Sequence, residues 1–295
     1  MALIKGLWGI ARPNQVVSVL MVFILGILGA WALGGQPAVV PVVWATAIVL
    51  LLTVSIHYVN EYADVETDSL TERTPYSGGS GVLPSGAVPR DVVLRLAAIL
   101  GVVGLILQLT AVLVGIHPAS AFAVMAFIAA AGWAYSLPPV ALSWRGLGEI
   151  DNALLGGMIM PVYGYLIVDP FISPVFLLAC VPFVVLDFTN LMATTWPDRK
   201  ADAAVGKFTL VTRQSVPQLR RLFRVLVVVG YTLVPLVGLL GVPLPVVVGS
   251  MLALPLSIWA VRTYTRQEDP TPAVWAMVVM LVGQLGGWFI TAAFV

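Results

Sequence analysis

Charge is what this chain has least of. Only 10% of its 295 residues are Asp, Glu, Lys or Arg, against about 25% in an ordinary soluble domain. That scarcity, with 60% hydrophobic residues and a mean hydropathy of +1.00, excludes a soluble globular protein and points to a polytopic, all-α integral membrane protein. The net charge of +1 is uninformative, but no basic tract of the kind that binds nucleic acid is present, so no nucleic-acid partner is expected. The single cysteine, Cys180, excludes an internal disulfide and reads as a small buried hydrophobe within its apolar run. No small-residue cleavage site follows the first apolar stretch, which is therefore expected to remain as a first helix. No obligate protein partner is expected.

What is present is a succession of apolar segments about 20 residues long, each able to span a bilayer as a helix. Nine are expected: 14–34, 39–60, 91–115, 118–137, 150–168, 171–195, 220–241, 243–263 and 271–294. Together they form one polytopic domain covering 1–295. The loops between them alternate in chemistry. All fifteen Lys and Arg fall on one side: Lys5 and Arg12 before the first segment, Arg73, Arg90 and Arg95 after the second, and Arg145 after the fourth. The long sixth-to-seventh connection carries Arg199, Lys200, Lys207, Arg213, Arg220, Arg221 and Arg224, and Arg262 and Arg266 lie between the last two segments. The opposite loops hold only Asp169. The positive-inside rule then places the N-terminus and the basic loops in the cytoplasm and the C-terminus outside, as for a protein of the plasma membrane.

Two acidic bursts interrupt this pattern. Asn60 to Asp68 puts four carboxylates into nine residues directly after an apolar run. Carboxylates at bilayer depth cost roughly 2.5–3.5 kcal/mol each on insertion scales, which makes them functional candidates. Asn60, Asp64 and Asp68 recur every four residues, which puts them on one helix face about 6 Å apart. Thr194, Asp198 and Asp202 repeat the spacing four helices later, which suggests two similar four-helix units followed by a ninth helix. Stacked carboxylates repel unless cations neutralise them, and Mg²⁺ joins one or two carboxylates to substrate phosphates. Two such faces would hold two or three Mg²⁺ ions around a diphosphate, with loop arginines and lysines completing the anion site. Spacing alone leaves two alternatives: an inert solvated face, and a cation- or proton-coupled transporter. The clustering at one surface rather than at the midplane argues against transport.

Four motifs in order resemble the UbiA-type superfamily of intramembrane aromatic prenyltransferases. Arg12-Pro13 is similar to the pair that opens the family's first helix, and Asn60-x-x-x-Asp64-x-x-x-Asp68 to its first aspartate motif. Tyr135-Ser-Leu-Pro-Pro139 with Trp144-Arg145-Gly-Leu-Gly-Glu149 resembles a third signature, and Asp198 to Asp202 with Gly206-Lys207-Phe-Thr-Leu210 the last. Trp144 for Tyr is a mild departure. Thr194 stands where relatives commonly have Asn, which weakens one ligand of the second metal site. The resemblance implies a helical bundle around a central cavity, and transfer of a prenyl chain from a polyprenyl diphosphate to an aromatic acceptor. It casts Asp64, Asp68, Asp198 and Asp202, with Asn60, as the Mg²⁺ ligands at a cytoplasmic-facing head-group site. Arg12, Arg73, Arg145 and Lys207 would hold diphosphate, and Tyr135 or Tyr62 would face the allylic cation.

The run Thr74 to Gly86 resembles the menaquinone-pathway branch, and its glycines would make it a lid beside the first motif. Chlorophyll-type and archaeal lipid-forming relatives are the alternatives. Asp187 and Asn190, on the sixth segment, are candidates for binding the acceptor. Glu149 and Asp151 are candidates for pairing with Arg145. His57 and His117 are expected to serve packing or hydrogen bonding.

Overall fold

The computed structural model describes residues 2–294, and every regular element among them is helical. A short helix, α1 (Ala2–Ile10), precedes α2 (Pro13–Ala32) and α3 (Val39–Ala63). A six-residue helix, α4 (Val65–Leu70), follows α3 almost without a gap, and a long loop leads to α5 (Arg90–Leu113) and α6 (Ala119–Ser136). Beyond a 3-10 turn at Leu142–Arg145 lie α7 (Gly148–Leu154), a π-helical stretch at Leu155–Ile159, and α8 (Met160–Leu166). A second long-then-short pair follows: α9 (Pro174–Thr195) and α10 (Arg199–Ala204), with one further turn, α11 (Leu210–Arg213). The chain ends with α12 (Val216–Leu239), α13 (Leu244–Met251), α14 (Leu254–Thr263) and α15 (Thr271–Ala293).

Helix starts follow from the sequence. Proline stands in the first two positions of α2, α9 and α12 to α15, where its missing amide costs little. Ser215 and Gln218 form a capping box ahead of α12, so this helix begins several residues before the apolar run that predicts it.

Among the described residues, eight helices are long and apolar enough to cross a membrane, with Leu244–Thr263 counted as one. The segment expected over 150–168 is helical but not a single helix. The Met160 amide reaches back five residues to the Leu155 carbonyl. Pro161 offers no amide to the Gly157 carbonyl, and the adjacent Gly156 and Gly157 weaken the same turn, so the ladder widens there.

Two apolar cores organise the molecule. The larger runs through the bundle, from Phe23 and Ile48 to Trp288. The smaller unites Ile10, Tyr58, Val59, Leu83, Val88, Val93 and Ala97. It pins α1 and the loop after α4 against the ends of α3 and α5, with the Tyr58 hydroxyl donating to the Leu7 carbonyl at 3.0 Å. Sequence patterning alone had not shown α1 as a separate helix. In the larger core, glycines let backbones touch: a β-carbon on Gly249 would overlap the Gly283 carbonyl, and one on Gly283 the Gly249 carbonyl. Gly283→Leu is therefore expected to lower stability by roughly 1–3 kcal/mol or more. Gly286→Leu, with open space around it, should stay within about 0.5 kcal/mol. Thermal unfolding of the two variants in detergent compares them.

Candidate active site

The last turn of α3 carries the first acidic burst. The helix breaks at Asp64 (φ −95°, ψ 8°) and resumes as α4. Helical bonding nevertheless crosses the break, because Asp64 N–H donates to the Asn60 carbonyl at 3.0 Å and Asp68 N–H to the Asp64 carbonyl at 2.8 Å. The Asn60 side-chain amide donates to Asp64 Oδ2 at 3.0 Å and to Ser136 Oγ at 3.4 Å. The second burst is built alike: α9 ends at Thr195, Asp198 heads α10, and Asp202 N–H donates to the Asp198 carbonyl at 2.9 Å. α10 packs against α4, which brings the bursts together.

Lys207 joins the two. Gly206 (φ 79°) turns the chain after α10, and Lys207 N–H closes on the Asp202 carbonyl at 2.8 Å. The Lys207 ammonium then lies 2.9 Å from Asp64 Oδ1 and 3.5 Å from Asp202 Oδ1. Two carboxylates on one ammonium are near enough to act on a single small anion. The Trp144 to Glu149 stretch supports this loop from outside. The Trp144 carbonyl accepts from Phe208 N–H at 3.1 Å, and Glu149 Oε1 accepts from Leu210 N–H at 3.1 Å. Glu149 is thus occupied by the Lys207 loop and does not pair with Arg145. Arg145 Nη2 donates instead to the Pro139 carbonyl at 2.7 Å.

Burial dominates the electrostatics. It pushes the Asp68 carboxyl up to about 7, with Asp64 and Glu61 adding to the effect and Arg12 opposing it. Burial likewise raises Asp202 to about 7 and Asp198 to about 6, in each case against the pull of Lys207. At Lys207 burial favours the neutral amine, but Asp64 and Asp202 outweigh it and hold the ammonium above its ordinary range. Asp68 Oδ2 and Asp198 Oδ1 are buried without hydrogen-bond partners, and Asp202 Oδ1 has only the Lys207 ammonium at 3.5 Å. Buried carboxylate oxygens drawn from both bursts are hard donors with spare lone pairs, and this donor set fits Mg²⁺. Among the described residues, no three His, Cys, Asp or Glu side chains form a ready-made metal cluster. An ion here would need water or phosphate oxygens to complete its shell.

Residues 19–292 match the model of the UbiA prenyltransferase family. The chain belongs to that family. Members of the UbiA family are prenyltransferases, so the chain is a multi-pass membrane enzyme of that class, and the transporter alternative falls away. The fold agrees with a UbiA homolog from Archaeoglobus fulgidus bound to GPP and Mg²⁺, at TM-score 0.73 and 15% identity over 98% of this chain and 99% of that one. The same homolog bound to DMAPP and Mg²⁺ aligns at TM-score 0.70, with 15% identity over the same shares. A structure described as a digeranylgeranylglyceryl phosphate synthase in membranes aligns at 0.68, with 16% identity over all of both chains. No curated protein matches the chain.

Within this UbiA-family site, the remaining expected residues are distributed unevenly. Arg12 Nε and Nη2 both donate to Glu61 Oε1, at 2.8 and 2.6 Å. Glu61, 1% exposed, also accepts from Ser80 N–H and Ser80 Oγ, each at 2.7 Å. It ties the N-terminal segment and the glycine-rich run to the first motif. The four-residue spacing missed it because Glu61 lies off that face; the one available signal was a second carboxylate beside Asn60. Gly79 packs directly on Asp68, where a β-carbon would overlap Oδ2, so the 74–86 run covers the acidic face. Arg73 and Arg145 are exposed on the same side, Arg73 against Gly78 and Gly81.

Tyr135 packs on Gly148. Tyr62 is not available to a substrate cation, because the Arg90 guanidinium covers its ring at 4.4 Å. The Thr194 hydroxyl turns back to the Leu191 carbonyl at 3.2 Å, away from a ligand role. Asp187 and Asn190 lie buried about two turns and one turn before Thr194, with the Asn190 amide 3.4 Å from Asp187 Oδ1. Asp187 faces Gly156 in the π-helical stretch. His57 contacts the Ala11 carbonyl, and His117 the Gln108 side chain and the Pro41 carbonyl.

The raised carboxyls give a pH prediction. Mg²⁺ binding must displace protons that Asp68, Asp198 and Asp202 hold near neutrality. Apparent Mg²⁺ affinity is therefore expected to weaken as pH falls from 8 to 6. Titration calorimetry in two buffers of different ionisation enthalpy should show proton release near pH 7. Without metal, these groups bind protons that the unfolded chain has already lost, so stability falls as pH rises from about 4 to about 7.

Proposed function

We propose that the chain is an Mg²⁺-dependent enzyme that moves a prenyl chain from a polyprenyl diphosphate to an aromatic acceptor, in menaquinone-like quinone synthesis. The observation that carries this reading is the set of buried carboxylates from the two bursts, with Asp64 and Asp202 joined on Lys207 and oxygens of Asp68 and Asp198 left unpartnered. In this reading 1–295 is one polytopic domain, and α7, the π-helical stretch and α8 together make a ninth span. The basic loops and the head-group site face the cytoplasm from the plasma membrane.

Asp64, Asp68, Asp198 and Asp202, with Asn60, would hold two or three Mg²⁺ ions, which supply Lewis-acid charge neutralisation to the diphosphate when bound. Lys207 would move from Asp64 and Asp202 onto a diphosphate oxygen, and Arg12, Arg73 and Arg145 would hold the same anion. The bond between the prenyl carbon and the diphosphate oxygen breaks and diphosphate leaves. The Tyr135 ring faces the allylic cation, a ring carbon of the acceptor bonds to it, and the displaced ring proton passes to a carboxylate. Asp187 and Asn190 would bind the acceptor. The 74–86 run covers the reacting groups and excludes water.

A second reading is favoured by the full-length likeness to the digeranylgeranylglyceryl phosphate synthase: a glyceryl phosphate acceptor. Purified protein with a labelled long-chain prenyl diphosphate and Mg²⁺ separates the two, with 1,4-dihydroxy-2-naphthoate, 4-hydroxybenzoate and a prenylglyceryl phosphate as acceptors. The first reading expects prenylated naphthoate, abolished by chelator. Product from the glyceryl phosphate alone would establish the second.

A further inference from the structure

The structure assigns a lipid site that shares no residue with the carboxylate cluster: the groove between α12 and α14 holds one anionic phospholipid, with its phosphate between Arg224 and Arg262. The groove encloses about 420 Å³. Arg224, Val227, Val228, Tyr231 and Thr232 line it from α12, and Leu254, Ile258, Val261 and Arg262 from α14. Each set recurs at helical spacing and so forms one continuous face. The two arginines lie at the same end of the groove, Arg224 a little over two turns into α12 and Arg262 in the last turn of α14. Behind the groove, the hydroxyl of the lining residue Tyr231 lies 2.8 Å from Ser257 Oγ, and both residues are buried.

Charge complementarity selects the occupant. Among the described residues, Arg224 and Arg262 make no ion pair or hydrogen bond, although both stand on one groove. Two nearby arginines are occupied elsewhere: Arg220 Nε donates to Thr265 Oγ1 at 2.6 Å, and Arg199 pairs with Glu268 at 2.7 Å. Asp269 accepts from Thr271. Two facing cations without a counter-ion repel and attract an anion. A free phosphate would leave the Val228, Ile258 and Leu254 walls uncovered. A phospholipid satisfies both parts, because its acyl chain lies along the roughly 12 Å of apolar wall between Arg224 and Thr232. Basic pockets between membrane helices bind anionic head groups in this way.

The test is native mass spectrometry of the full chain released from nanodiscs of phosphatidylcholine with 20% phosphatidylglycerol, by mole, as about one lipid in five. The wild type should retain one phosphatidylglycerol, with affinity falling about tenfold in Arg224→Gln/Arg262→Gln. Val228→Trp, which fills the groove and keeps both arginines, should also lose the lipid. Arg221→Gln/Arg266→Gln, which removes equal charge outside the groove, should retain it. Equal retention of phosphatidylcholine, equal loss in the control pair, displacement by inorganic phosphate, or unchanged binding in both groove variants overturns the assignment.

Discussion

Asp64→Ala is expected to cut prenyl transfer by about 10²–10³-fold, the range found when one preorganised electrostatic group is removed from a reacting centre. Asp64 stands at the junction of α3 and α4, where Oδ2 accepts from Asn60 and Oδ1 from Lys207. Alanine removes the carboxylate proposed to hold metal and leaves Lys207 with Asp202 alone. Asp64→Asn keeps the shape and the contact with an acceptor oxygen but not the charge, so it should lose nearly as much. Turnover of labelled prenyl diphosphate at saturating Mg²⁺ measures both. Activity within about threefold of wild type in the alanine variant, roughly 0.65 kcal/mol in barrier, would remove Asp64 from the reacting centre.

Lys207→Met carries the second large effect, on stability as well as rate. The Lys207 side chain is buried between two carboxylates that come from opposite halves of the sequence. Removing one partner of a buried charge pair costs about 3–5 kcal/mol because the other charge stays uncompensated. The low end is expected here, since Asp202, already pushed to about 7, takes up a proton and relieves part of the repulsion. Added Mg²⁺ should recover more stability in Lys207→Met than in wild type, because the ion replaces the missing ammonium. Melting temperature with and without Mg²⁺ reads this directly. If the methionine variant melts with wild type in both conditions, Lys207 does not hold the two bursts together.

Much of this architecture was legible before any coordinates. Apolar runs of membrane length follow from the lack of water in the bilayer, which forces each backbone to satisfy itself as helix. The eight long helices therefore fall close to where composition puts them. Asn60, Asp64 and Asp68 were legible as a set because a four-residue period survives even the break at Asp64. Proline starts were legible because the ring removes a single donor at a fixed place.

Other features depended on contacts that no periodicity encodes. The 150–168 segment looks like one helix by hydropathy, yet Gly156, Gly157 and Pro161 combine to open a π-helical stretch that packs on Asp187. Glu61 reads as a stray acid until α1 and the glycine-rich run close over it with Arg12 and Ser80. Tyr62 passes for an aromatic facing substrate until Arg90 is found across its ring. Arg220, Arg221 and Arg224 read alike along the chain, but only Arg224 meets Arg262 across a groove.

The sequence by itself determined the membrane setting, the helical class and the two acidic faces, because burial cost and helical period act within single segments. The tertiary structure alone decided that α4 meets α10 and that Lys207 bridges Asp64 and Asp202. It likewise decided that Glu61 anchors the covering loop, since each depends on which distant helices pack together.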